Sequence, residues 1–375
     1  LLGNLGYALH HKYFREEFFM KDRKVVRLLW KVLVLFSFCS IFLFQEAWAI
    51  DNVKQIKNGK TVYVLKMGTL APNGVGWAAL IKTIIAPGIT KATNGEVKLD
   101  WYYGGTMGDD QDIIAKMRNG QLHGGGFSGQ GTIMACPEMS LIELPFMFDN
   151  YQEVEYVYAK LRPRISQWYE KRGYHLFLLA EQDFDQIYSV KHEIRKPDDF
   201  KDVKIVTWNG LLEERSLKAI GASPVPVRVP EIASSYHTGV IDASVSPAIW
   251  IVGTQMYTIA KYVNTARIRY SPAIGIISLM AWNQLPKEHQ VAIDNFMATI
   301  EKGFRQRVRD DNEECLKAMY KYGLKETKMT RAEIDVFKKR LLPVWDEFAE
   351  KGYYTKAELA ELKGILAEYR NKNRK

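Results

Sequence analysis

Cysteine is scarce in this chain, 3 in 375 residues. That excludes a disulfide-stapled scaffold, which a chain long enough to bury a substantial core does not need. The 7 histidines are scattered, none at ligand spacing with a cysteine, so no metal site is indicated. Residues that announce chemistry are missing as well. There is no nucleophile motif, no set of paired carboxylates and no Gly-Lys-Ser/Thr phosphate loop. The formal charge is +9, yet no dense Lys/Arg stripe with interleaved aromatics accompanies it, which argues against nucleic acid as a partner. What remains is ordinary globular composition, 47% hydrophobic and 25% charged, in enough chain for about two domains.

The N-terminal segment points to a compartment. Met20 opens a stretch with Lys21, Arg23, Lys24, Arg27 and Lys31, followed by an apolar run over 32–44 and then Ala47-Trp48-Ala49. Basic start, apolar middle and small-x-small end are the three parts of a secretory signal peptide, here residues 20–49. The apolar run is shorter than the roughly 20 residues of a membrane-spanning helix. An uncleaved N-terminal anchor is the alternative. Phe38 stands before Cys39, where lipidation wants a small residue, and residues 1–19 carry nothing recognisable. Cleavage after Ala49 leaves Cys136 and Cys315, which may or may not be bridged as far as sequence goes.

Further along, strands alternate with helices. Residues 61–67 and 97–103 read as strands, 77–92 as a helix, and Asp109 or Asp110 caps another helix that Gly120 stops. A second series starts near Phe177, with strands at 176–180, 186–190, 203–207 and 225–229 and helices at 213–220 and 230–237. Such alternation predicts βαβ units and a largely parallel sheet. In the C-terminal third Ala292, Phe296, Ile300, Phe304 and Val308 recur every four residues from Pro286 towards Gly323. Some 35 helical residues measure roughly 50 Å, too long for one small domain to cover. Thr330 with Glu333, and Thr355 with Glu358, are capping boxes that open two final helices.

The Gly124-Gly125-Gly126-Phe127-Ser128-Gly129 run matches the dinucleotide fingerprint only in letters, because Pro137 breaks the segment that follows. It reads instead as a strand ending in a loop that turns Ser128 and Gln130 towards a cleft, or as a plain turn. Leu144-Pro145-Phe146-Met147-Phe148 follows. Then come Pro197-Asp198-Asp199-Phe200, Lys204-Ile205-Val206-Thr207, Gly221-Ala222-Ser223-Pro224-Val225-Pro226 and Gly239-Val240-Ile241-Asp242, closing at Pro247.

Taken in that order over about 60–325, these segments resemble the DctP-type solute-binding subunits of tripartite ATP-independent periplasmic (TRAP) transporters. The resemblance implies an α/β periplasmic binding protein of two hinged domains, with a long helix spanning both. Domain I would be 60–182 with 272–312 and 340–375, and domain II 183–271 with 313–339. It implies a monomer without cofactor or metal, whose partners are a small organic solute and the two membrane subunits of the transporter. No bond is made or broken, so the chain is not expected to be an enzyme. A periplasmic hydrolase using Asp242 or Asp185 as base, or a protein presenting its ligand to a soluble partner, are the alternatives.

The resemblance also assigns pocket positions, namely Thr69, Trp77, Ser128, Gln130, Phe184, Asp185, Val206, Trp208, Ser246, Trp250 and Tyr270. Two of these depart from the family. Relatives carry an arginine at the position of Val206 that grips a substrate carboxylate with two parallel hydrogen bonds, and a second arginine at the position of Asp185. Unless the second alignment is off by a residue or two, an anion has replaced a cation at the pocket edge. The ligand is therefore expected not to be a simple carboxylate. The mature protein secreted by a Gram-negative host is expected to begin at Ile50, and an intact mass that retains the basic segment would overturn the cleavage.

Overall fold

Short apolar runs build one mixed sheet in the computed structural model, which describes residues 52–373 apart from 208 and 209. The signal-peptide segment 20–49 and Trp208 lie outside the described residues. The strands are β1 (Lys54–Lys57), β2 (Lys60–Thr69), β3 (Val97–Tyr102), β4 (Gly124–Ser128), β5 (Tyr174–Ser189), β6 (Lys204–Thr207), β7 (Ser223–Pro226), β8 (Ala243–Ser246), β9 (Tyr262–Ser278) and β10 (Lys325–Thr327). They follow the order β1-β2-β4-β9-β5-β8-β6-β7, with β3 beside β2 and β10 beside β9. The helices used below are α1 (76–92), α2 (Asp110–Arg118), α3 (Gln130–Ala135), α4 (Tyr151–Lys171), α5 (Leu211–Ala219), α6 (Ala248–Gly253), α7 (Lys287–Lys321), α8 (Arg331–Leu341), α9 (Pro343–Glu350) and α10 (Lys356–Lys372).

A largely parallel sheet is the sequence expectation, and it needs correction. The outer pairs β2/β3, β2/β4, β6/β7 and β6/β8 are parallel, but the centre is antiparallel. The cause is the pair β5 and β9, of 16 and 17 residues, which run through the middle in opposite directions. Sequence reading splits β5 in two because Glu181, Asp183 and Asp185 interrupt its apolar pattern. It misses β9, where Arg267, Arg269 and Pro272 do the same, and α4, which carries Pro163 inside it. The glycine run is likewise not a loop: Gly124, Gly125 and Gly126 are in β4 itself, and Gly129 makes the turn into α3.

Four apolar clusters pack against the sheet. Leu65, Ile81, Ile277 and Phe304 belong to one, and Ile113, Val157, Leu179 and Phe348 to a second. Ile187, Ile205, Leu217 and Phe337 belong to a third, and Tyr188, Val206, Ile232 and Met319 to a fourth. The 35-residue helix α7 gives Met297, Phe304 and Val308 to the first and Met319 to the fourth, so it spans both halves as its period predicts. Thr330 and Thr355 cap α8 and α10 through the expected boxes. Cys136 and Cys315 are free thiols. Asp242 is structural, accepting Lys191 Nζ at 2.9 Å and the Lys204 N–H at 3.3 Å.

A buried ionic network clamps α7 to β5. Arg309 pairs with Glu181 through both Nε and Nη2, the latter at 2.9 Å, and its Nη2 also reaches Glu155 at 2.8 Å. Arg305 takes Glu155 at 2.9 and 2.7 Å and donates to the Leu179 carbonyl at 2.8 Å. Tyr270 Oη on β9 donates to Glu181 at 2.6 Å. Removing one partner of such a pair leaves a charge buried and uncompensated. Arg309→Ala is therefore expected to cost about 3–5 kcal/mol in urea denaturation, and adding Glu181→Gln to recover much of that loss. A single variant within 1 kcal/mol of wild type, on the order of an exposed ion pair, would contradict the clamp.

Candidate functional site

The site is built where the ends of β2 and β4 meet α2, α6 and the loop after β7. Two adjoining cavities, of about 520 and 560 Å³ including space open to solvent, share Leu70, Asp110, Ser128 and Trp250. Thr69, Trp77, Phe127, Gln182 and Ile249 complete much of the first, and Gln130, Met134, Val227 and Arg228 much of the second. The volume and the mix of apolar walls with a few polar groups suit a small organic molecule.

Local sequence explains how the walls close. A Cβ at Gly126 would stand 2.9 Å from the Trp77 ring and 3.4 Å from the Trp101 ring, so only glycine in β4 lets both indoles lie against the strand. Trp77 is further held by its Nε1–H, which donates to the Glu181 carbonyl at 3.3 Å. Across the cleft, Ile249 of α6 reaches Gly76, where a Cβ would meet it at 2.5 Å. Asn312 of α7 holds both sides: its Nδ2 donates to the Gln182 carbonyl at 2.9 Å, and its Oδ1 accepts the Ile249 N–H at 2.9 Å. The long helix thereby sets the spacing between β5 and α6.

Three aspartates gather at the start of α2. Asp109 is the N-cap, accepting the Asp112 N–H at 3.1 Å, while Asp112 accepts the Asp109 N–H at 3.1 Å. Arg228 reaches across to both, at 3.0 Å each. Asp110 is in neither arrangement. It faces both cavities, accepts the Gly131 N–H, and has no ion pair among the described residues. Burial, and then the charge of Asp109, raise its carboxyl to about 7.

Of the positions named from sequence, Thr69, Trp77, Ser128, Gln130 and Trp250 come together around the cavities. Phe184, Asp185, Val206, Ser246 and Tyr270 do not line them, and Trp208 lies outside the described residues. Phe184 packs with Tyr151 and Tyr270 under Arg267. Val206 is in the fourth apolar cluster, and Ser246 is buried in β8 opposite Gln186. Tyr270 is taken by Glu181.

Asp185 corrects the expectation of an anion at the pocket edge. It is buried, its Oδ2 accepting Arg269 Nε at 2.8 Å, and Arg269 also reaches Glu213 at 3.3 Å. Glu143 is buried close by, with Thr132 Oγ1 donating to it at 2.5 Å. The cation lost at position 185 is thus matched by Arg269 from β9, which sequence reasoning considered only as an arginine for the ligand. It also missed Asp110, Gln182 and Arg228 as cavity residues. The available signal was the second aspartate of the Asp109-Asp110 pair, since one N-cap uses one carboxylate.

With this geometry in view, the class is that of α/β periplasmic binding proteins. The chain belongs to the bacterial extracellular solute-binding protein family 7, the DctP family, whose model matches residues 85–351. This bears out the resemblance to TRAP solute-binding subunits. The 2,3-diketo-L-gulonate-binding periplasmic protein of Escherichia coli is 23% identical over 63% of this chain and 72% of its own length. Among solved structures, a TRAP periplasmic solute-binding protein from Haemophilus influenzae with bound L-gulonate superposes with a TM-score of 0.75 at 22% identity, covering 80% of this chain and 99% of that one. One from Ralstonia eutropha with bound (S)-2-acetolactate gives 0.76 at 22% identity, covering 81% and 99%. No helix among the described residues is long and apolar enough to cross a membrane.

Burial raises Glu143 from 4.5 to about 7, opposed by Arg269 and Thr132 and assisted by Asp185 and Glu213. Burial likewise raises Asp185 from 3.8 to about 6, against the pull of Arg269. A carboxyl whose folded value lies above its unfolded one contributes stability that is complete below the unfolded value. That contribution is lost as pH rises through the folded value. The thermal midpoint is therefore expected to fall between pH 5 and pH 8, and Glu143→Gln to flatten that fall. A variant with the wild-type slope would show that Glu143 stays ionised in the fold.

Proposed function

We propose that this chain is the extracytoplasmic capture subunit of a TRAP transporter, closing by hinge motion on a small organic solute and delivering it to the membrane subunits without chemical change. The family membership supports the capture role. The hinge is supported by the irregularities of the two strands that thread both halves. β5 and β9 shift register between Glu181 and Asp183, where Asp183 pairs with Ser271. Asp183 holds a φ of 122° there. This coincides with the boundaries 182/183 and 271/272 between domain I (60–182, 272–312, 340–375) and domain II (183–271, 313–339). In this reading the protein works as a monomer, and the leader is cleaved after Ala49.

The observation that carries the ligand reading is the state of the basic groups. Position 206 is a valine inside an apolar cluster, Arg269 is tied to Asp185 and Glu213, and Arg228 is tied to Asp109 and Asp112. A carboxylate entering the cavities would find no guanidinium without an existing carboxylate partner, and burying an unpaired carboxylate costs several kcal/mol. The ligand is then not a simple carboxylate. Calorimetric titration with lactate, succinate and sialic acid is expected to give Kd no tighter than about 1 mM, near −4 kcal/mol. Micromolar binding of any of the three would contradict it.

A further inference from the structure

We propose that the ligand is a compact organic cation whose ammonium group sits on the Asp110 carboxylate against the indoles of Trp77 and Trp250. The inference rests on the reading of the two cavities as the solute site and names the chemistry that site selects. It starts from a contrast of charge. The chain is basic overall, at +9, but its cleft is acidic. The charged side chains lining the two cavities are Asp109, Asp110 and Arg228. Arg228 and Asp109 neutralise one another, with Asp112 sharing the same guanidinium. Asp110 faces both cavities and pairs with no cation among the described residues.

The surroundings fit a cation rather than a second proton. Trp250 lines both cavities and Trp77 the first, and an indole face attracts an ammonium through its quadrupole. Ser128 and Gln130 supply neutral polar atoms at the same walls. The carboxyl of Asp110 lies near 7 because burial and Asp109 oppose its charge, while the Gly131 N–H favours it and Arg228 is already engaged. A bound cation supplies the missing counter-charge. Placing it there releases the proton, so cation and proton compete for one carboxylate.

The test is calorimetry on the whole mature protein with choline and putrescine, and with 3,3-dimethyl-1-butanol as the uncharged isostere of choline. At least one of the two cations is expected to bind in the micromolar range, with the alcohol at least about tenfold weaker than choline if choline is the ligand type. Asp110→Asn should weaken the cation by about tenfold or more, while Arg228→Ala should leave it within about threefold. Binding should also strengthen as pH rises from 6 to 8. Circular dichroism and the thermal midpoint of each variant show whether it has kept its fold, and Asp110→Glu serves as a second variant that retains the charge. No heat with either cation, or equal binding of choline in wild type and Asp110→Asn, overturns the inference. Micromolar binding of an acid that depends on Arg228 and not on Asp110 also overturns it, yet leaves the solute-binding reading intact. That broader reading fails separately if Trp250→Ala leaves the binding of every retained or added small molecule unchanged.

Discussion

Glu181 is the point on which the two halves of this molecule are hung. Its carboxylate takes Arg309 from α7 and Tyr270 from β9, and its backbone carbonyl takes the indole N–H of Trp77. One fully buried residue thus joins the long helix, both crossing strands and a cleft wall. The desolvation of so many charges is costly, and the network is tolerable only because nearly every donor has a carboxylate or a carbonyl to meet. One turn further along α7, Asn312 repeats the device with neutral groups, holding β5 and α6 at once. The cleft therefore inherits its width from a helix that lines neither cavity.

That arrangement explains why the irregular backbone lies where it does. β5 and β9 could run as plain ladders through both halves, but they shift register next to Glu181 and again beyond Asp185. Bulges turn side chains that would alternate between the faces of the sheet. Here they allow Glu181, Asp183 and Asp185 to be buried within five residues. Each meets a separate partner: Arg309, Tyr151 and Arg269 respectively. A strand without bulges would send these carboxylates to one face together, where their mutual repulsion would oppose folding.

The same crowding of charge marks the limit of what the sequence made legible. Helices with clear period and caps are where residue spacing put them, as α7, α8 and α10 show, and the ordered family segments pointed to the right fold. β9 was lost because its arginines look like surface residues until their partners on β5 and α5 are known. Position 185 read correctly as a replaced arginine. Its consequence was misread, because the compensating Arg269 is 84 residues away in sequence and adjacent only through strand pairing. Val206 was read correctly as the missing anchor for a related reason in reverse: an absent guanidinium needs no partner to be recognised.

Relatives of known structure bind L-gulonate and (S)-2-acetolactate, both organic acids. This chain has kept their backbone while moving its charges. The site positions 185 and 206 no longer offer a cation, and the arginine nearest to replace them is consumed in holding Asp185 and Glu213. Meanwhile the start of α2 offers three carboxylates to a single cross-cleft arginine. A binding protein that closes around its ligand must leave no buried charge unmatched in the closed state. Since the protein's own cations are already spent, the remaining anionic position on the cavity wall is one that the solute itself has to balance.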